Sequence, residues 1–322
     1  MSGFRLFALI AFVLVATAAG AQQARMPHVG YLMDRSGFGA FDEAFVQGLR
    51  QNGYVVGQNV AIEYRWTEGK SERLPALAAD LVNQKVDVIV TAGAAAVTAL
   101  KAATPTIPIV MASSQDAVGD GLVASLAHPG GNVTGRSVYA AELTPKRIEL
   151  LKEAIPGLSC IGVLWNAHNP GGAGQFREAE AAGHALGVGV VSLSVRLPDD
   201  LDQAMARAAQ AGAGAILTLS DSATITFRAE IAAAAHRHRL ATMFSNEAYL
   251  VGGGLMSYGP NIAESFRLAA VYVDKLLKGA KPADLPVEQP ARFDLVINLR
   301  AATALGLTMP EALLFQADRL IE

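Results

Sequence analysis

Cysteine and charge are both scarce in this sequence of 322 residues. The only cysteine, Cys160, cannot form a disulfide within the chain, and the apolar stretch after it favours a buried side chain over a catalytic thiol. Charged residues make up 17% of the chain, with 26 basic against 29 acidic residues and a net charge of -3. Because no block of Lys and Arg is present, we expect no nucleic-acid partner held through its phosphates.

The common catalytic and cofactor signatures are also absent. The chain has no G-x-S-x-G elbow, no H-E-x-x-H pattern, no paired-Cys site and no G-x-G-x-x-G fingerprint. The run GKS at 69–71 resembles the end of a phosphate-binding loop, but Tyr64 stands where that loop requires glycine. His236 and His238 are two residues apart on a predicted helix, which places them on different faces. We therefore predict a protein that is not an enzyme and that holds neither a metal nor a cofactor.

The N-terminus has the parts of a secretory signal peptide. Arg5 supplies positive charge, an apolar run follows it, and residues 19–21 have the small-x-small form that signal peptidase accepts. The run is shorter than the roughly 20 residues that a spanning helix needs, which disfavours the alternative of a membrane anchor. We predict cleavage after Ala21 and a periplasmic protein without a lipid anchor, since no Cys lies near the cleavage site.

From residue 28 onward, short strand-like runs alternate with amphipathic stretches. This order is typical of a parallel sheet with helices on both faces. The apolar run at 86–90 leads through Thr91, Ala92 and Gly93 toward a helix, so we predict that these three residues form a strand-to-helix turn. In the first series each strand is followed by one helix. The strands are at 28–33, 59–66, 86–90 and 107–112, and the helices that follow them in turn are at 41–52, 72–84, 94–103 and 118–127.

A second series with the same rhythm follows a predicted helix at 145–154. The stretch that begins at Gly30 resembles the one that begins at Gly162, and 86–94 matches 213–221 in position, which indicates a duplication. We predict an α/β fold of two Rossmann-like, doubly wound lobes with parallel sheets and a ligand cleft between them. The predicted lobes are 28–138 with 259–285 and 139–258 with 286–322, after a signal peptide at 1–21. The second series comprises strands at 160–165, 188–195, 213–219 and 241–245 and helical segments at 174–186, 201–211, 226–238 and 247–250.

Small and polar residues follow the predicted strands, at the edge where ligands bind in doubly wound folds. Ser, Asp and Asn are also preferred caps of the next helix, so each of them has a structural alternative. As a group they offer hydroxyls, amides and helix N-termini without an activated nucleophile, which favours binding over catalysis. The candidate ligand-binding residues are Ser36, Phe38, Thr91, Ala92, Gly93, Ser113, Ser114, Asp116, Asn166, Asn169, Asp221, Ser222 and Glu247.

Several longer stretches, spread from the first lobe to the C-terminus, carry a family resemblance. They read GLVASLAHPGGNVTG at 121–135, GVLWNAHNP at 162–170, GGLMSYGPN at 253–261, VDKLLKGAKPADLPVEQP at 273–290 and FDLVINLRAATALGLTMP at 293–310. In these stretches the chain is similar to the ABC transporter substrate-binding proteins of the tryptophan-binding-like family. Because the matches are long and ordered, the resemblance covers nearly the whole predicted mature chain.

The resemblance implies a type I periplasmic binding protein, in which two lobes close on a solute. The crossings between lobes would lie near 138–143, Tyr258 and 285–290. The implied partners are a small-molecule solute and an ABC permease in the inner membrane with its ATPase, and a monomer is expected. An exported enzyme on the same scaffold, or a ligand-sensing receptor without transport, is the alternative.

The resemblance also suggests a ligand class, since characterised relatives bind tryptophan or tyrosine and many others have an unknown solute. An aromatic or other amino acid would need donors for its carboxylate, an acid for its ammonium group and a wall for its side chain. Ser36, Thr91 and Ser113 are candidates for the first role, Asp116, Asp221 and Glu247 for the second, and Phe38, Trp165 and Tyr249 for the third.

Overall fold

The computed structural model describes residues 25–138, 143–169, 172–219 and 221–322. The predicted signal peptide, residues 1–21, lies outside the described residues. Within the described ranges no helix combines the length and the apolar character that a membrane crossing demands. The chain forms a five-stranded and a seven-stranded sheet, and each sheet has buried apolar residues on both faces.

The first lobe is built on the five-stranded sheet, with strand order β2-β1-β3-β4-β5. All neighbouring strands in it are parallel, as the alternation of strands and helices predicts. Its strands are β1 His28–Met33, β2 Ala61–Trp66, β3 Val88–Ala92, β4 Ile109–Ser114 and β5 Val133–Ser137. Its helices are α1 Ala40–Gln51, α2 Leu74–Asn83 and α3 Ala94–Ala103.

The second lobe is built on the seven-stranded sheet, with strand order β12-β11-β10-β9-β8-β6-β7. Its strands are β6 Cys160–Asn166, β7 Gly189–Val195, β8 Ala215–Thr218, β9 Ala241–Phe244, β10 Met256–Gly259, β11 Asp294–Asn298 and β12 Arg319–Ile321. Its helices are α4 Thr144–Ala154, α5 Gly172–Ala185, α6 Leu201–Gln210, α7 Ser222–Thr226, α8 Arg228–Arg237, α10 Leu299–Leu305 and α11 Glu311–Gln316, with a 3₁₀ helix at Glu247–Gly252.

The two sheets repeat one strand order, because β7-β6-β8-β9-β10 corresponds to β2-β1-β3-β4-β5. The first strand of each repeat carries a glycine against which a neighbouring helix and strand pack. A Cβ on Gly30 would lie 3.2 Å from Ile89, and a Cβ on Gly162 would lie 2.6 Å from Leu193 and 2.8 Å from Ile216. The alignment of Gly30 with Gly162 in the sequence therefore has a counterpart in packing.

The passages between the sheets lie at the carboxyl ends of strands. β5 ends at Ser137 just before the first passage, at 138–143, of which 139–142 lie outside the described residues. β10 ends at Gly259 and leads to α9, Ile262–Leu277, which packs against α1 of the first lobe. The chain then returns to the second sheet, where Asp294 of β11 lies opposite Gly259. The carboxyl edges of both sheets therefore adjoin, and the cleft lies between them; the exact lobe boundaries stay a prediction.

Several sequence predictions are wrong in detail. Residues 118–127 form turns and bends instead of a helix, because Gly121 has a left-handed backbone (φ 67°) and Asp116 accepts a hydrogen bond from the Gly119 N–H at 2.8 Å. The helix predicted at 226–238 corresponds to α8, and the sequence prediction missed the short α7 that precedes it. The seven-stranded sheet is not wholly parallel, since β11 runs antiparallel to β10.

Candidate ligand-binding cleft

The turn after β1 is stabilised by hydrogen bonds to a buried carboxylate. Asp42 in the first turn of α1 is fully buried and accepts a hydrogen bond from Arg35 at 2.5 Å and another from the Gly39 N–H at 2.6 Å. Arg35 also donates to the Gly37 carbonyl oxygen at 2.7 Å. These contacts fix residues 35–39, which include the predicted ligand residues Ser36 and Phe38.

Phe38 is the outermost ring of an aromatic row at the carboxyl ends of β1 and β2. Its side chain is 51% exposed, and its ring centroid lies 5.8 Å from that of Tyr64 in an edge-to-face arrangement. Tyr64 in turn stacks on Trp66 with centroids 5.3 Å apart and planes 6° apart. Burial, with a smaller contribution from Asp42, raises the pKa of Tyr64 to about 12, so the row is uncharged at neutral pH.

Sequence reasoning missed two members of this row, Tyr64 and Trp66. The signal was present, because residues two apart in a strand share a face and β2 ends in Tyr-Arg-Trp. The prediction that 59–66 is a strand could have placed both rings beside Phe38. What it lacked was the strand order, which puts β2 directly next to β1.

The end of β3 differs from its sequence prediction. β3 continues through Thr91 and Ala92, so that Gly93 alone makes the turn into α3, with a left-handed backbone at φ 83°. Thr91 is fully buried, and its hydroxyl donates to the Leu32 carbonyl oxygen at 2.7 Å. The strand begins and ends two residues later than predicted, since its ladder to β4 extends to Ala92. The first turn of α3 retains backbone N–H groups that have no acceptor inside the helix.

The end of β4 places Ser113, Ser114 and Asp116 next to the start of α3. The Ser113 carbonyl oxygen accepts a hydrogen bond from the Gly93 N–H at 2.8 Å, which ties the two turns together. Ser114 is 1% exposed, and among the described residues its hydroxyl has no hydrogen-bond partner. A buried hydroxyl in that state is costly, so it marks a position where an additional polar group would be stabilising.

In the second lobe the candidate residues follow β6, β8 and β9, the counterparts of β1, β3 and β4. Asn166 closes a local turn, since its side-chain oxygen accepts a hydrogen bond from the His168 N–H at 3.1 Å and its carbonyl oxygen accepts one from the Asn169 N–H at 3.0 Å. Asp221 caps α7 by accepting from the Thr224 N–H at 2.7 Å. Ser222 is the first residue of α7.

Glu247 points away from the other candidates and toward the added edge of the sheet. It is the first residue of the 3₁₀ helix after β9, and its carboxylate pairs with Arg319 of β12 at 2.8 Å. Of the candidate aromatic walls in this lobe, Tyr249 is fully buried and shares a hydrogen bond with Thr224 at 2.8 Å. Trp165 donates from its indole N–H to the Ser192 hydroxyl at 3.0 Å.

Two buried arginines lie where the chain passes between lobes. Arg147 of α4 donates to the Tyr258 carbonyl oxygen at 2.8 Å, and burial lowers the pKa of its guanidinium to about 10, so it is charged at neutral pH. Arg136 of β5 pairs with Glu288 at 2.9 Å. Neither arginine is accompanied by a metal-binding cluster, since the described part of the chain has no group of three His, Cys, Asp or Glu able to hold an ion.

The candidate residues therefore lie on two facing edges of a two-lobed, mostly parallel α/β protein. The first lobe brings together the ends of β1, β3 and β4, and the second lobe brings together the ends of β6, β8 and β9. Ligands of doubly wound folds occupy this edge, and paired lobes enclose them from both sides. This arrangement defines a type I periplasmic binding protein fold.

Comparison with known proteins gives the family. Residues 30–321 match the family described as ABC transporter substrate binding protein, and the chain belongs to it. A curated relative is the tyrosine-binding protein of Clostridioides difficile strain R20291, which is 24% identical over 279 residues, covering 87% of this chain and 80% of that protein. Relatives of this kind bind a substrate, in agreement with the binding function predicted from the sequence.

Two solved structures are similar over almost their full length. The ABC domain from Streptococcus pneumonia in complex with L-Trp is 27% identical, with a TM-score of 0.84, and the match covers 92% of this chain and 99% of that one. A conserved domain protein from Vibrio cholerae O1 biovar eltor is 28% identical, with a TM-score of 0.85 and coverage of 92% and 100%. These similarities support the two-lobed fold along the whole described chain.

Proposed function

We propose that this chain is the solute-binding component of an ABC importer. In this proposal it works in the periplasm as a monomer after loss of residues 1–21, closes its two lobes on a small metabolite and delivers it to a permease driven by an ATPase. The family match and the two-lobed fold support this role. Lobe closure suits a fold in which both carboxyl edges adjoin the chain passages, because a rotation there changes the width of the cleft.

We further propose that the solute is an aromatic amino acid, and the observation that carries this is the exposed ring of Phe38. An aromatic side chain that is 51% exposed leaves apolar surface in water, yet this ring is held in place by Tyr64 and by the loop that Asp42 fastens. A fixed, exposed ring at a cleft edge is a stacking surface for a flat ligand. Relatives named for tyrosine binding or solved with L-Trp agree with this ligand class.

The polar end of such a solute fits the turns beside α3. Its carboxylate would accept hydrogen bonds from the Ser114 hydroxyl and from the first-turn N–H groups of α3, near the positive end of the helix dipole. Its ammonium group would face Asp116 or Asp221, the acids that follow β4 and β8. Glu247 is the weaker acid candidate because its carboxylate is already paired with Arg319.

Isothermal titration against the common amino acids tests the proposal, with Phe38→Ala as the diagnostic variant. We expect tryptophan or tyrosine to bind the native protein and Phe38→Ala to weaken that binding by about tenfold or more, the loss of one stacking contact. Phe315→Ala is the matched control, because Phe315 is 92% exposed on α11 and its neighbour Gln316 is bonded to Glu153, in the last turn of α4.

The control variant should bind as the native protein does. If Phe38→Ala binds the same amino acid with unchanged affinity, the aromatic assignment is wrong. If folded native protein binds no member of the amino-acid panel and no other small metabolite, the importer role is wrong as well.

A further inference from the structure

The second lobe has a groove on its flank, where the sheet extends beyond the helices that cover it. The 3₁₀ helix Glu247–Gly252 packs against β9 and β10, and β11 and β12 continue past it. The space between this 3₁₀ helix, the start of α10 and β12 has a volume of about 530 Å³. That volume lies within the range of small-molecule sites.

The floor of the groove is apolar and its rim carries an exposed aliphatic side chain. Leu250, Ala301 and Ile321 supply apolar surface to the lining. Val251 is 83% exposed at the rim. An apolar ligand portion lying on this floor would remove that surface from water.

The charged residues of the groove favour an anion. Arg300 and Arg319 line it together with Glu247, and His236 and Asn298 complete its polar side. Glu247 pairs with Arg319 at 2.8 Å, so the charges of these two side chains cancel. The guanidinium of Arg300 therefore gives the groove a net positive charge. A positive groove on a protein of net charge -3 runs against the average electrostatics of its surface. Arginine is well suited to hold a carboxylate through two parallel hydrogen bonds.

The groove is separate from the cleft between the lobes. β11, α10 and β12 have no counterpart in the five-stranded sheet, and most of the lining comes from these elements and from the 3₁₀ helix. Of the predicted solute residues whose side chains the structure describes, Glu247 alone lines the groove, and its contact with Arg319 accounts for its orientation. Filling the cleft therefore leaves the groove open.

We propose that this groove is a second binding site, for a small organic anion with an apolar body. The carboxylate lies against Arg300, with the Asn298 amide and His236 nearby, and the apolar body lies over Leu250 and Ile321. The site is independent of the cleft and of the importer role, so the experiment that tests it is separate from the test of the proposed function.

Fluorine NMR with 4-fluorophenylacetate as the probe tests this site. We expect saturable line broadening with the native protein and much weaker binding of the uncharged analogue 2-(4-fluorophenyl)acetamide. Arg300→Glu should weaken binding of the acid by about tenfold or more, the loss of a charge-assisted hydrogen bond. This variant should fold, because Arg300 is exposed in the first turn of α10, where an acidic side chain is tolerated.

Two further variants complete the test. Arg207→Glu makes the same charge change on an exposed residue of α6, outside the groove, and should bind the probe as the native protein does. Phe38→Ala should leave probe binding unchanged, because Phe38 lies at the cleft. Binding that is equal for acid and amide, that survives Arg300→Glu, that disappears in Phe38→Ala, or that does not saturate at millimolar probe would overturn the proposal.

Discussion

The turns that follow the first strand of each lobe occupy equivalent places but are held differently. In the first lobe, the buried carboxylate of Asp42 and the guanidinium of Arg35 fasten the loop that carries Phe38. In the second lobe, Asn166 closes its turn through short-range hydrogen bonds between neutral groups. The first arrangement fixes an aromatic side chain in a set position, whereas in the second the side chain of Asn166 bonds to a residue of the same turn. The same topology thus supports two kinds of cleft wall.

The lobes also end their sheets differently. The edge strand β5 of the first lobe is covered by the returning chain, in which the Glu288 N–H donates to the Gly135 carbonyl oxygen at 3.0 Å and Leu285 accepts from Thr134 at 2.7 Å. The second lobe continues past β10 with β11 and β12, and this extension forms the flank groove. A duplicated core therefore carries its differences at turns and edges, where a change disturbs little packing.

The largest expected effect tests whether the fifth strand of each repeat is built alike. In Gly259→Ala the new Cβ would lie 1.8 Å from the Ser245 carbonyl oxygen, and in Gly135→Ala it would lie 2.2 Å from the Met111 carbonyl oxygen. Because both obstacles are backbone atoms, we expect each variant to lose more than about 4 kcal/mol of unfolding free energy or to fail to fold. Urea denaturation measures this loss.

Gly131→Ala is the control for these two variants, since a Cβ there meets nothing within 4 Å. It should unfold at the same urea concentration as the native protein. A Gly259→Ala protein of native stability would show that the two lobes do not share this close approach.

The next largest effect on stability compares the charged contact that holds the turn after β1 with the neutral contact that holds the turn after β6. Asp42→Asn removes the partner of Arg35, whose side chain is only 19% exposed, and should lower the unfolding free energy by about 3 kcal/mol. Asn166→Ala removes the acceptor of the His168 N–H hydrogen bond in the second lobe and should lower it by about 1 kcal/mol. Urea denaturation compares the two, and titration should show that Asp42→Asn also weakens solute binding. Equal losses of stability would mean that the two contacts are equivalent.

A smaller effect concerns the paired glycines of the first strands. Gly162→Ala would bring a Cβ to 2.6 Å from Leu193, while Gly30→Ala would bring one to 3.2 Å from Ile89. We expect overpacking to reduce the unfolding free energy by about 2 kcal/mol at Gly162 and by less than about 1 kcal/mol at Gly30. Thermal or urea denaturation gives the ranking, and the reverse order would mean that the first lobe is the more tightly packed.

Much of the fold could be predicted from the sequence because hydrophobic periodicity is a local signal. The alternation of strands and helices gave the doubly wound class, and the match of Gly30 with Gly162 indicated the repeat that the strand orders display. The secondary-structure predictions were wrong where turn contacts and backbone conformation outweighed the local hydrophobic pattern. Residues 118–127 have helical composition, but Gly121 with its left-handed backbone and the capping of Gly119 by Asp116 turn the chain instead.

The candidate site could be predicted only in outline. That polar residues follow the strands is readable from the sequence, but whether a side chain faces the cleft depends on partners distant in the chain. The Thr91 hydroxyl is bonded to Leu32 and Glu247 to Arg319, and neither contact has a sequence signature. To predict that Tyr64 and Trp66 lie at the site, one must know that β2 is next to β1 in the sheet, and a single sequence does not supply that order.

The smallest expected effect on stability concerns β11 and β12, the strands by which the second sheet extends beyond the repeat. Asp318 accepts a hydrogen bond from the Leu295 N–H at 2.8 Å and pairs with Arg292 at 2.6 Å, and these contacts, the backbone one first, hold the pKa of its carboxyl below its usual value. A pKa that is lower in the folded state gives stability that is present above the unfolded value of about 3.9 and is lost as the pH falls through the folded value.

Asp318→Asn should therefore be slightly less stable than the native protein near neutral pH, by less than about 1 kcal/mol because Arg292 is largely exposed. The difference should shrink as the pH falls below about 3.9 and through the lower pKa of the folded protein, where the native carboxyl takes up its proton. Urea denaturation of both proteins across this range measures the difference. A difference that does not change with pH would mean that β12 is held by the packing of Ile321 against the core that contains Val296, and not by charge.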